Sequence, residues 1–145
     1  MKYILTIACV ALIFSNFSCS KAKVTPQVVV PPAENVFDVS KATLLKMGIL
    51  SGNMNYTVTG TVKLYDLEGK KYIYLENFST ASGPDLKVYI ATTNSASQFI
   101  NLGSLKATTG VQVYAISTPP DFNQYNKVLI WCQQFSVLFG AAGIK

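Results

Sequence analysis

Three cysteines and no histidine set the chemistry open to this chain of 145 residues. The last of the three, Cys132, stands in "IWCQQF" beside Trp131, the only tryptophan. A thiolate can exchange with a disulfide or be oxidised to a sulfenic acid, and it forms readily where a nearby cation or a helix N-terminus lowers the thiol pKa. Without histidine there is no Ser-His-Asp or Cys-His activation, no histidine-ligated zinc or copper, and no histidine-ligated haem. Cys9 and Cys19 fall in or at the end of an apolar leader, which leaves one thiol in the rest of the chain. A Cys-x-x-Cys redox pair and an iron–sulfur cluster held by four thiolates are therefore excluded. A hydrolytic enzyme would lack a recognisable nucleophile and base.

The acids are Glu34, Asp38, Asp66, Glu68, Glu76, Asp85 and Asp121. Asp66 and Glu68 flank a turn and Asp85 follows "GP", so turn chemistry accounts for them. Calcium would need more oxygen ligands at regular spacing. Spacing alone does not exclude a glycosidase carboxylate pair, but nothing points to one. The formal charge is +5, with lysines spread singly apart from the pair in "GKK" and with no arginine. Clustered basic groups, arginine above all, make a nucleic-acid surface. These lysines read as solvated surface, so no nucleic-acid partner is expected.

The leader fixes the expected compartment. Met1 and Lys2 give a positive start, Ile4 to Phe14 is apolar, and small polar residues follow in "SNFSCS", which is the layout of a secretory signal peptide over residues 1–18. The apolar run is too short to span roughly 30 Å of hydrocarbon as a helix. The alternative, a buried N-terminal helix, finds no helical pattern continuing after it. "NFSC" resembles a lipobox that would lipidate Cys19. Ser18 suits the place before the cysteine, while Asn16 stands where an aliphatic residue is usual. Ordinary cleavage after Ser20 or Ala22 is the alternative, and it would discard Cys19. Several acyl chains at about 0.8 kcal/mol per buried methylene make a stable anchor. Residues 19–36, with three prolines and no aromatic residue, then read as a lipidated tether, because proline is unsuited to helix interiors and central strands. From Ser20 to Val36 it reaches at most roughly 55 to 60 Å. Val28–Val30 could instead form an edge strand.

Residues 37–145 are the size of one domain. "DVSKATLLKMG" offers Asp38 or Ser40 as a helix N-cap and Gly48 as a stop, and it reads equally as an irregular lead-in. From Ile49 onward the signals are those of strands. "TGTVKLYD", "EGK" and "KYIYLENF" form a hairpin. "DLKVYIATT", "VQVYAIS" and "KVLIWCQQFSVLF" are further strands between turn clusters. The expected fold is all-β, an antiparallel sandwich or barrel of about six to eight strands. If the last strand is unbroken, its odd face, with Leu129, Trp131 and Phe135, is the core. Cys132 then shares the other face with Val128 and Ile130. A bulge at "QQ" would swap the faces beyond it. Lys127, the nearest lysine in sequence, lies on the opposite face from Cys132 by parity, so activation would have to come from a neighbouring strand.

Taken in order, "GTVKLY", "YLENFSTASGPDLKVYI", "NLGSLKATTGVQVYAI" and "YNKVLIWCQQFSVLFGAA" resemble the successive motifs of the electron-transfer DM-thirteen domain family, over roughly Gly48 to Lys145. The "NF...GPDL.VY" and "IWC..F.V.FG.A" blocks are specific when they occur together. The resemblance implies an all-β domain of exported proteins. It also implies that Cys132 acts in redox chemistry, as a bare thiol or by binding a prosthetic group such as haem. Members often carry a histidine four residues before the glycine that falls on Gly60, and here that place is Tyr56. A mechanism pairing that histidine with the cysteine is therefore closed to this chain. Haem through Cys132 would have Met47 or Met54 as its available second ligand. A bare thiol, cycling through sulfenic acid or a mixed disulfide, needs no second residue, and no cofactor is expected.

Two functions compete. One is a redox module of the cell envelope, tethered to a bacterial membrane through Cys19, which exchanges electrons with a partner through Cys132 and is not a stand-alone enzyme. The other is a non-catalytic β-sandwich binding module at the cell envelope that holds an extracytoplasmic partner or ligand, with Cys132 as core.

Overall fold

The structure is a computed structural model that describes residues 37–145. The leader, Cys19 and the tether with Val28–Val30 lie outside the described residues. Nine strands follow in chain order: β1 (Thr43–Ile49), β2 (Ser51–Gly52), β3 (Val58–Leu67), β4 (Lys70–Thr80), β5 (Leu86–Ala91), β6 (Phe99–Ser104), β7 (Thr109–Ile116), β8 (Lys127–Cys132) and β9 (Val137–Gly143). They form a four-stranded sheet, β1-β3-β4-β7, and a five-stranded sheet, β2-β9-β8-β5-β6. Every pairing is antiparallel. The all-β sandwich expected from the sequence is the fold, with nine strands in place of six to eight.

The expected hairpin is β3–β4. Leu67 pairs with Lys70 across Glu68 and Gly69, both at positive φ, which is the tight turn whose twist matches antiparallel strands. Asp66 holds it by accepting the Gly69 N–H at 3.0 Å and the Lys71 ammonium.

Between the sheets lies one apolar core. Val62 and Leu64 of β3, Ile73 and Leu75 of β4, Val88 and Ile90 of β5, and Val128, Ile130 and Cys132 of β8 all belong to it. Burying each large aliphatic side chain contributes about 1.5–3 kcal/mol before the entropy of ordering is set against it. A smaller cluster, Tyr89, Ala91 and Leu129 with Trp131 and Leu138 against it, lies apart from this core. Tyr89 stacks there between Phe99, at 4.2 Å between centroids, and Trp131, at 6.4 Å.

Three expectations are corrected. The segment from Asp38 begins with a turn and continues as a strand. Asp38 Oδ1 accepts the Ser40 N–H at 3.0 Å and the Lys41 N–H reaches the Asp38 carbonyl at 3.1 Å, yet the chain then extends as β1 along β3. The cap signal was sound turn chemistry, and sheet pairing decided what followed it.

The apparent last strand is two strands. β8 ends at Cys132, the chain turns through Gln133–Ser136, and β9 returns antiparallel to β8. Ser136 takes φ 53° and its N–H donates to the Gln133 carbonyl at 3.3 Å.

The third correction concerns the faces of β8. Its even residues, Val128, Ile130 and Cys132, point into the main core, while Leu129 and Trp131 face the smaller cluster. Both parities are apolar, so alternation could not choose between them. The partly buried Trp131 is therefore an outer-layer residue, and the thiol is the one inside.

Candidate functional site

Cys132 is the last residue of β8 and is fully buried. It is the free cysteine of the described residues. Its cross-strand partners are Leu86, the first residue of β5, and Val137, the first residue of β9. Directly opposed side chains in such ladders sit about 4.5–5.5 Å apart at Cβ. The thiol is thus closed in by aliphatic groups on both neighbouring strands.

One residue further on, the chain is in water. Gln133, Gln134, Phe135 and Ser136 are all exposed, Phe135 by 63%. The turn is held to β5 by the Gln133 N–H, which donates to the Asp85 carbonyl at 2.9 Å. Cys132 therefore sits deep in the core by burial and at the rim by position along its strand.

Above Leu86 the two segments that cross between sheets, after β4 and after β6, enclose an open groove of about 350 Å³, lined by Gly83–Leu86 and Ser104–Thr108. Its walls are firmly set. The Leu105 N–H donates to the Leu86 carbonyl at 2.7 Å. The buried Gln112 amide holds the second segment, donating through Nε2 to the Ala107 carbonyl at 2.7 Å and accepting the Lys106 N–H at 3.0 Å. Tyr114 donates its hydroxyl to Gln112 Oε1 at 2.7 Å. Burial holds the Tyr114 phenol above its ordinary pKa, partly offset by the Lys106 N–H bonded to it. At the rim, Lys87 bridges Asp85 at 2.7 Å and the Ser104 hydroxyl at 2.8 Å.

Gly83 ties this rim to Tyr56. A Cβ at Gly83 would stand 2.9 Å from both Leu86 Cδ2 and Phe139 Cζ, so a larger residue there would press on the ends of both side chains. The Phe139 ring stacks on Tyr56 with centroids 3.9 Å apart and planes at 16°. Tyr56, which occupies the place of the histidine common in the resembled family, is thus a packing residue linked through Phe139 and Leu86 to the layer around the thiol.

The structure does not supply the cation that a strongly activated thiolate would need from an adjoining strand. Lys87 pairs with Trp131 and Lys127 with Ala91, so both leave β5 and β8 on the face away from Cys132. β9 carries no lysine. The residues present also do not fit a haem shared between Cys132 and a methionine. Met54 is 91% exposed in the loop after β2, and Met47 pairs with Lys63 on the outward face of the four-stranded sheet. Neither faces the core that holds the thiol. No group of three or more acidic, cysteine or histidine residues among the described residues could hold a metal ion.

The fold and site together define a small antiparallel β-sandwich with one thiol sealed in its core beside an exposed hairpin turn. Residues 50–144 match the family electron transfer DM13, and the chain belongs to that family. No curated protein and no solved structure matches it.

Proposed function

We propose that this protein is an electron-transfer module of the cell envelope, exported by its leader, anchored through lipid on Cys19, and using Cys132 as its redox group without a prosthetic group. Membership of the electron transfer DM13 family carries the electron-transfer reading. Cys132 is the thiol that the matched region contains. The lipidated anchor is supported by the apolar leader ending in "NFSC".

The burial of Cys132 shapes how it would work. Local opening at the end of β8 and the start of β9 brings the thiol to the surface without unfolding the domain. The thiolate then attacks one sulfur of a partner disulfide. That S–S bond breaks, the other partner sulfur leaves as a thiolate, and Cys132 holds a mixed disulfide. An outside thiolate then attacks the Cys132 sulfur of the mixed disulfide, so the partner leaves with both sulfurs reduced and Cys132 is joined to the outside sulfur. A second outside thiolate attacks that outside sulfur, forming an outside disulfide and releasing the Cys132 thiolate, so that two electrons pass from two outside thiols to the partner disulfide. The partner is an envelope protein with an accessible disulfide.

The second reading, a binding module with Cys132 as core, is favoured by one observation, the complete burial of the thiol among aliphatic residues. Native thiol labelling near neutral pH, with an absorption spectrum of the purified protein, separates the two. The redox reading expects labelling of the folded protein. Labelling that appears only on denaturation, with no visible absorbance, would overturn it.

A further inference from the structure

The strand that closes over the thiol is not held evenly along its length. Ile130 pairs with Gly140 but Trp131 pairs with Leu138, so Phe139 is an extra residue in β9, a bulge that interrupts the ladder shortly before the turn. Phe139 itself is pinned. Its carbonyl accepts the Asn53 N–H at 2.8 Å, and its ring stacks on Tyr56, whose own N–H donates to the Asn53 carbonyl at 3.0 Å.

On the turn side of that bulge the chain is held lightly. Val137 and Leu138, both partly buried, pair with Cys132 and Trp131, and the turn residues Gln133–Ser136 before them are exposed. Ser136 takes φ 53°, a left-handed conformation that costs a residue other than glycine free energy. Among the described residues, two hydrogen bonds from outside the hairpin reach Gln133–Leu138. The Asn53 side-chain amide donates through Nδ2 to the Leu138 carbonyl at 3.1 Å, and the Gln133 N–H donates to the Asp85 carbonyl at 2.9 Å.

Val137 is the β9 side chain set directly against Cys132, and it packs on the main core. Lifting it uncovers the thiol while β8 keeps its pairs with β5 from Leu86 to Ala91. A broken ladder, a strained turn and exposed backbone are the features of a segment that opens at a free energy below that of global unfolding. Asn53 serves both ends of this segment. Its backbone holds the bulge and its side chain holds the strand beyond the bulge, so losing the side chain frees the segment and leaves the pin in place.

We propose that Gln133–Leu138 is a flap over Cys132, hinged at the Phe139 bulge and latched by the Asn53 side-chain amide, and that its opening admits a disulfide to the thiol. The flap deepens the redox reading above and rests on it for its purpose. Asn53 is a positioning residue, since it acts on the cover of the thiol and touches no reacting atom. How strongly its amide holds Leu138 sets how often Cys132 meets solvent.

The test follows alkylation of Cys132 by iodoacetamide in the whole mature chain under native conditions, read from the mass of the Cys132 peptide. The parent rate should rise with reagent concentration and stay nearly flat at low denaturant, because a small opening exposes little surface. Asn53→Ala should speed alkylation roughly threefold to tenfold, as expected for loss of one hydrogen bond from the closed state. Asn101→Ala, which removes the acceptor of the Gly103 N–H at 2.8 Å in β6, should leave the rate within about twofold. Ser136→Gly gives a second reading that removes no packing, and by relieving the left-handed turn it should slow alkylation roughly twofold to fivefold. A rate unchanged by Asn53→Ala or by Ser136→Gly overturns the flap. So does acceleration in Asn53→Ala that climbs with denaturant as steeply as global unfolding, which makes Asn53 a general support of the fold. Exchange with 2-hydroxyethyl disulfide is followed separately. A flap that answers to both variants while Cys132 forms no mixed disulfide supports the flap and overturns the redox reading.

Discussion

At the residue scale, the account turns on a thiol that is buried and yet adjoins a turn. Cys132 fills core space beside Leu86 and Val137, so Cys132→Ser puts a hydroxyl where no partner is placed. It should destabilise the domain by about 1–3 kcal/mol in a denaturant titration, while Cys132→Ala should remove thiol chemistry and keep the fold. Leu86 is the side chain between the thiol and the groove rim. Leu86→Ala should raise native labelling of Cys132 on the order of tenfold beyond Val88→Ala, which cuts an equally apolar contact further along β5. Equal rates in the two variants would mean that the groove is not the route of access. A third residue-scale expectation concerns acid. The Lys71 ammonium, with the Gly69 N–H, holds the Asp66 carboxyl below the ordinary value of 3.8. A carboxylate with a lowered folded-state pKa contributes stability that is full above 3.8 and fades as pH falls through its folded value. Asp66→Asn should therefore flatten the acid side of the stability profile and leave its shape above pH 5 unchanged. A profile as steep as that of the parent below pH 4 would contradict this reading.

At the scale of elements, the β8–β9 hairpin is what makes the site, and it is also what the sequence concealed. "KVLIWCQQFSVLF" carries none of the glycine, proline, asparagine or aspartate that usually marks a turn. The reversal is made by Ser136 at positive φ, a conformation that no residue type there announces. A continuous strand assigns the faces of Trp131 and Cys132 from residues that lie beyond the turn, and the reversal at the turn places those two side chains the other way round. The "EGK" hairpin was legible because Gly69 declares its own turn, and "GPD" was legible as a loop for the same reason. The strand character of β1 was not, because Asp38 and Ser40 make a real cap-like turn and the pairing with β3 is a tertiary fact. The identity of the candidate residue was therefore readable from composition, whereas its burial was not. Packing between elements gives a further test. A Cβ at Gly140 in β9 would stand 2.7 Å from Val58 Cβ and 2.8 Å from the Ser51 carbonyl. Gly140→Ala should cost about 1–3 kcal/mol as overpacking, seen as a lower denaturation midpoint. An unchanged midpoint would show that β9 can shift freely against β2 and β3.

At the scale of the molecule, one domain of the electron transfer DM13 family follows a leader and a proline-bearing stretch that read as export signal and tether. Intact mass of the membrane-extracted protein should show a chain starting at Cys19 with acyl mass added, and an unmodified start at Lys21 or Lys23 would refute the anchor. A lone thiol closed into a sandwich core can serve electron transfer only if the native state opens around it more readily than it unfolds. That condition separates a redox group from a packing residue, because both share the same static burial. The most direct measurement is the rate of Cys132 modification by a thiol reagent near neutral pH, compared with global unfolding under the same conditions. The account predicts modification of the folded population through local opening, with a rate that rises with reagent concentration and an opening free energy well below that of global unfolding. Modification that requires the full free energy of unfolding would contradict it and leave Cys132 as core.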